Sequence, residues 1–186
     1  PDGTFSDDNS FDQNEVKAHI KWIVTGKSQL HFLGGWIERK NASFTSRNFS
    51  GFNARLIYSW RPTGKIGLTL NGWRENAPIQ SLRTKSSLNT GVSLIPTWDL
   101  TEKVKIEGDF SYRTIKSDGF TNRLDGFALG RNNTLRNVST KLTYSLHAGM
   151  QVSVLVFHNN LTTDLALGGF SANGANINLR YILGAK

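Results

Sequence analysis

Between Phe52 and Trp73 the chain reads F-N-A-R-L-I-Y-S-W-R-P-T-G-K-I-G-L-T-L-N-G-W. Phe52, Ala54, Leu56, Tyr58 and Trp60 alternate with Asn53, Arg55 and Ser59. After the turn Arg61-Pro62-Thr63-Gly64, the apolar series Ile66, Leu68, Leu70 and Gly72 alternates with Gly67, Thr69 and Asn71. Period-two alternation on both sides of a Pro/Gly turn predicts an antiparallel hairpin. One face of that hairpin is apolar with an aromatic beside the turn, and the other is polar and partly cationic.

The unit recurs along the chain. Val16, Ala18, Ile20, Trp22 and Val24 lead to the turn Thr25-Gly26-Lys27-Ser28, and Leu30, Phe32, Gly34 and Trp36 return. Leu88, Val92, Leu94, Pro96 and Trp98 share a parity broken by Thr90; Asp99-Leu100-Thr101-Glu102 turns the chain, and Val104, Ile106, Gly108, Phe110 and Tyr112 follow. Val138, Thr140, Leu142, Tyr144 and Leu146 precede His147-Ala148-Gly149, and Met150, Val152, Val154 and Val156 leave it. Ala175, Ile177, Leu179, Tyr181 and Leu183 form a last strand. Longer polar loops are expected over Pro1 to Ser10, Asn41 to Asn48, Glu75 to Lys85, Ser117 to Asn133 and Leu165 to Gly169. This gives about nine strands in one domain spanning 1–186. Trp22, Trp60 and Trp98 are spaced 38 residues apart, a repeat of one hairpin plus one loop. A propeller blade of similar period needs four strands per repeat, not two.

Alternation alone leaves open whether the apolar face meets lipid or an internal core, because a soluble ligand-binding β-barrel has the same parity. Mean hydropathy is −0.35 and no apolar run approaches the ~18 residues of a membrane helix. Neither value argues against a transmembrane barrel, whose strands are apolar on one face only. Three features favour lipid. Short turns alternate with long polar loops. The aromatics Trp22, Trp60, Trp98 and Tyr144 lie at the short-turn end of the apolar face, and Trp36, Phe52 and Tyr112 lie toward the other, as two interfacial girdles. The apolar sets run about 25 Å along a tilted strand without a charge, where a lipid-facing Lys or Arg would cost about 2–4 kcal/mol. The expected fold is therefore all-β, an antiparallel up-and-down transmembrane β-barrel in a bacterial outer membrane. With short turns on the periplasmic side, the first and last strands run the same way. A single-chain barrel has an even strand number, so the chain is expected to be the C-terminal portion of a larger barrel. The absence of an initiator Met and of a leader pattern at Pro1 fits that expectation.

Asn48 to Glu75 (N-F-S-G-F-N-A-R-L-I-Y-S-W-R-P-T-G-K-I-G-L-T-L-N-G-W-R-E), Arg131 to Tyr144 (R-N-N-T-L-R-N-V-S-T-K-L-T-Y) and Phe170 to Ile182 (F-S-A-N-G-A-N-I-N-L-R-Y-I) resemble the EpsL family. These are outer-membrane β-barrel proteins of exosortase-associated exopolysaccharide biosynthesis. The resemblance implies a role in producing or exporting an extracellular polysaccharide, possible partners in the export machinery, and a natural chain about twice this length. It carries no catalytic motif.

The net charge of +8 and pI of 9.9 suit an anionic partner. On the polar parity stand Lys17, Lys21, Arg39, Arg55, Lys105, Arg113, Lys141 and Arg180, against few acids, chiefly Glu107 and Asp109. In a barrel these would line the lumen as an anion-attracting wall for an acidic polysaccharide. The plain alternative is polar filling that pairs internally or with water. Trp73 and Phe157 share this parity and suit sugar stacking or rim packing. His19 and His31 sit on adjacent strands, while His147 falls in a turn and His158 at a strand end. No histidine pair has zinc-ligand spacing, and Ser59 and Ser111 lack a nucleophile-elbow context. There is no cysteine, which removes thiolate sites. Gly26-Lys27-Ser28 is followed by a strand, not the helix a phosphate-binding loop requires. Nucleic-acid binding is not expected, because the aromatics segregate from the cations. The reading is a non-enzymatic barrel without cofactor or metal, embedded in outer-membrane lipid. Its rivals are a general porin-like channel or structural surface barrel, and a soluble ligand-binding barrel.

Overall fold

The alternating segments form one antiparallel sheet in a computed structural model that describes residues 10–42, 48–81, 84–119, 131–147, 149–164 and 168–182. The strands are β1 (Phe11–Thr25), β2 (Ser28–Asn41), β3 (Phe49–Trp60), β4 (Ile66–Ser81), β5 (Thr84–Asp99), β6 (Val104–Gly119), β7 (Arg131–His147), β8 (Met150–Thr163) and β9 (Phe170–Tyr181). They lie in chain order, each antiparallel to the next, and among the described residues there is no helix. β1 and β9 are not paired with each other, and by the alternation of nine strands they point the same way.

Register carries the sequence parity across the whole sheet. On the apolar face Val16, Trp36 and Phe52 are successive partners, as are Gly72, Val92, Tyr112 and Arg136. Beyond that second row Thr90, Thr114, Thr134 and Thr162 form a ladder over four strands. Thr90, the break in the sequence pattern, is thus the point where the apolar belt ends. Trp36 opposes Phe52, and the Arg136 guanidinium lies 5.9 Å from the Tyr112 ring centroid.

Burial is inverted relative to a soluble sheet. Many large side chains of the apolar face are exposed, from Leu94 at 37% to Val16 at 76%, and Ile37 is the one buried hydrophobic side chain among the described residues. A soluble protein cannot leave so continuous an apolar surface uncovered, whereas lipid supplies that cover for a barrel.

Three of the four short turns share a construction that the tryptophan spacing only hinted at. Each repeats W-x-x-T-x-K: Trp22-Thr25-Lys27, Trp60-Thr63-Lys65 and Trp98-Thr101-Lys103. In each, the threonine hydroxyl accepts the lysine amide at 3.2 Å, a side chain mimicking a backbone turn. The lysine carbonyls of the three turns then accept amides from the neighbouring strand, Arg61, Asp99 and Ser145, at 2.7–2.8 Å. Successive hairpins are thereby locked at their inner ends.

Two expectations are corrected. The loop foreseen from Glu75 to Lys85 is strand on both sides, with β4 and β5 paired as far as Ser81 and Thr84. Its polar sequence lacks alternation, but continuing an established antiparallel ladder satisfies those backbone groups at little cost. His158 lies within β8, opposite Asn173, and its Nδ1 is 2.6 Å from Asn173 Oδ1. Apart from Ser10, the expected loop at Pro1 to Ser10 falls outside the described residues, as do positions 43–47, 120–130 and 165–167 of the other loops.

Candidate lumen site

All eight cations singled out in the sequence fall on the face opposite the apolar belt, but they are spread along it. Lys17 lies opposite Gly35, and Lys21 opposite His31. Lys141 lies opposite Glu107, and Arg180 opposite Gln151. Three of the eight are neutralised. Lys17 pairs with Glu15 at 3.0 Å, Arg55 with Glu75 at 2.7 Å and Lys105 with Glu107 at 3.5 Å. Arg39 stacks its guanidinium on the Phe11 ring, 3.4 Å from the centroid. Among the described residues no ion pair engages Lys21, Arg39, Arg113, Lys141 or Arg180.

Glu15 and Glu75 were missed as lumen acids. Both continue the polar parity, Glu15 ahead of Lys17 and Glu75 two residues after Trp73. The assumed loop hid Glu75. The lumen wall is therefore less cationic than the strand pattern alone suggests.

Arg55, Trp73, Gly91 and Arg113 are successive register partners across β3 to β6. Arg55, Trp73 and Arg113, with Ile57, Asn71 and Asn89, line a recess of about 330 Å³. Asn71 Nδ2 donates to Ser93 Oγ at 2.9 Å and Trp73 Nε1 to Asn89 Oδ1 at 3.2 Å. The indole lies over Gly91, where a Cβ would collide with Cζ2 of the ring. Any side chain at 91 would displace the indole, which explains glycine in mid-strand. Arg55 is held by Glu75, which accepts from Nε at 3.0 Å and Nη2 at 2.7 Å. Arg113 differs: its Nε is buried and has no hydrogen-bond partner among the described residues. A second recess of about 300 Å³ adjoins on the Arg55 side, where Lys17 and Glu15 join Glu75, Asn53 and Asn76. Phe157 covers Gly174 in the way that Trp73 covers Gly91.

The histidines assemble no comparable site. His19 and His31 rings lie 6.5 Å apart, and no group of three metal-ligating side chains occurs among the described residues. Ser59 and Ser111 lie opposite Gln29 and Ser93.

Among the solved structures that resemble the chain are two of an outer-membrane protein. OmpT (in-vitro folded), an outer membrane protein of Vibrio cholerae, matches with a TM-score of 0.53 at 12% identity, over 91% of this chain and 55% of that one. Outer-membrane expressed OmpT of Vibrio cholerae matches with a TM-score of 0.52 at 13% identity, over 91% and 56%. No family model and no curated protein matches the chain. The fold is that of the bacterial outer-membrane β-barrels, and the exposed apolar face fits that membrane. The chain spans a little over half the length of the barrels it matches.

Proposed function

We propose that the nine strands are one domain, part of the wall of a larger outer-membrane β-barrel, and that its lumen passes an acidic extracellular polysaccharide. In this reading the protein is an EpsL-type component of exosortase-associated exopolysaccharide production. It works beside other export components and carries out no covalent chemistry. Transport requires neither nucleophile nor metal. It requires a wall that attracts the polymer without holding it tightly, since conduction needs weak and repeated sites.

The observation that carries the reading is the set of lumen-parity cations without a carboxylate partner among the described residues, namely Lys21, Arg39, Arg113, Lys141 and Arg180. Spread along the wall, they offer successive weak contacts to an anionic chain. The three neutralised cations moderate the field, which keeps the polymer from being trapped. Trp73 and Phe157 add ring faces suited to sugars.

The test is conductance of the full-length protein in planar bilayers. The expected result is anion-favouring current that long polygalacturonate blocks at concentrations where neutral dextran of equal length does not. Free passage of unrelated small solutes without block by either polymer would replace this reading with a general porin.

A further inference from the structure

We propose that the recess between Arg55 and Arg113 binds one anionic sugar unit of the uronic-acid type, with Trp73 as stacking platform and Arg113 as carboxylate anchor. The proposal rests on the polysaccharide reading above and deepens it.

The indole is held ready. Its N–H is engaged by Asn89 Oδ1, and the Gly91 backbone lies beneath the ring, so the remaining ring surface lines the recess. A pyranose presents an apolar C–H face to such a surface, and immobilising the ring beforehand lowers the entropy lost on binding.

The two arginines that flank the platform are not equivalent. Arg55 gives Nε and one N–H of Nη2 to Glu75, which offsets its charge. Arg113 has no ion pair among the described residues; its Nε is buried without a partner there, so the Nη edge is what the guanidinium can offer a ligand, and its charge is costly to leave uncompensated. A planar carboxylate matches that edge in a bidentate pair. A neutral sugar would leave the charge unmet.

Two carboxamides supply the hydroxyl contacts. Asn71 uses its NH₂ on Ser93, which leaves its oxygen as acceptor. Asn89 uses its oxygen on the indole, which leaves its NH₂ as donor. One acceptor, one donor, one ring face and one unpaired guanidinium thus converge on about 330 Å³, at the small end of ligand sites. That volume suits a single ring, not a long segment, as a weak station on a longer path requires.

Calorimetric titration of the full-length protein in detergent with tetragalacturonate, and with maltotetraose as the neutral counterpart, tests the assignment. Wild type should bind the acidic probe more tightly. R113Q should lose roughly tenfold or more in affinity for it and most of the preference over maltotetraose. R113K keeps the charge but not the fork, and should lose about threefold or more. W73A should lose roughly twofold to tenfold for both probes. R55Q should lose less than R113Q. A heat-dependent gel shift certifies that each variant is folded, and R113K serves if W73A is not.

Equal losses in R55Q and R113Q, or binding unchanged in both R113Q and R113K, would overturn the site. Polygalacturonate block of the conductance separates the two levels. Block that persists at wild-type strength in R113Q and W73A sinks the subsite and leaves the lumen pathway standing. A wild type that neither binds nor is blocked sinks both.

Discussion

Val92, Ser93 and Leu94 are consecutive on β5, yet the serine is 8% exposed and its apolar neighbours are 46% and 37% exposed. Side chains alternate across a strand, so the three report on the two faces of one wall. At these positions the apolar side chains are bare and the polar one is sheltered. In a soluble sheet the exposures would be reversed, because apolar area is what folding removes from water. The contrast teaches that the solvent of the apolar face is not water. It also means that the same substitution should have opposite consequences on the two faces.

The largest effect should come from a charge in the belt. Leu94→Arg places a guanidinium at mid-belt and is expected to destabilise the protein in lipid vesicles by about 2–4 kcal/mol, whereas Ser111→Arg on the lumen face should cost less than about 1 kcal/mol. Denaturant titration of both vesicle-folded variants measures the difference, and equal losses would erase the distinction between the faces. A smaller change tests where the belt ends. Trp98→Ala removes an interfacial ring at the inner girdle and should cost about 1–2 kcal/mol. A loss well under that range would mean that Trp98 does not sit at the lipid boundary. The smallest effect on stability belongs to the lumen pair. Glu75→Gln breaks a partly exposed ion pair and should change stability by no more than about 1 kcal/mol. It also frees Arg55, so the reversal potential in a salt gradient should move toward stronger anion selectivity. An unmoved potential would show that Glu75 and Arg55 do not face the conducting path.

The strands and the short inner turns are legible in the sequence because they obey a local rule. Period-two alternation needs no knowledge of partners, and Trp22, Trp60 and Trp98 mark the inner ends by themselves. What depends on partners is not legible in the same way. Asn76, Ala77 and Pro78 give no alternating signal, and their strand is imposed by pairing with Leu88, Ser87 and Ser86. Glu75 was lost with them, and the partial neutralisation of the lumen went unseen. The eight cations could be assigned to a face from parity alone, but which of them are free depends on cross-strand neighbours. The Trp73 platform needs Gly91 directly opposite, a coincidence of register between β4 and β5 that no local pattern encodes. Conversely, the threonine and lysine of the repeated W-x-x-T-x-K turns were visible as letters, and only their shared hydrogen bonds made them a repeat.

The membrane-facing assignment of the even-numbered face of β5 can be measured directly, because the 186 residues contain no cysteine. Single cysteines at positions 91 to 97 of the full-length protein would each be spin-labelled after folding into vesicles, with any cysteine outside these residues replaced. The account predicts a period of two: labels at 92, 94 and 96 collide with oxygen dissolved in lipid, and labels at 91, 93, 95 and 97 meet a water-soluble nickel chelate. Labels at 92 and 94 that favour the chelate, or are shielded from both reagents, would contradict it, because the apolar belt would then face water or protein instead of lipid.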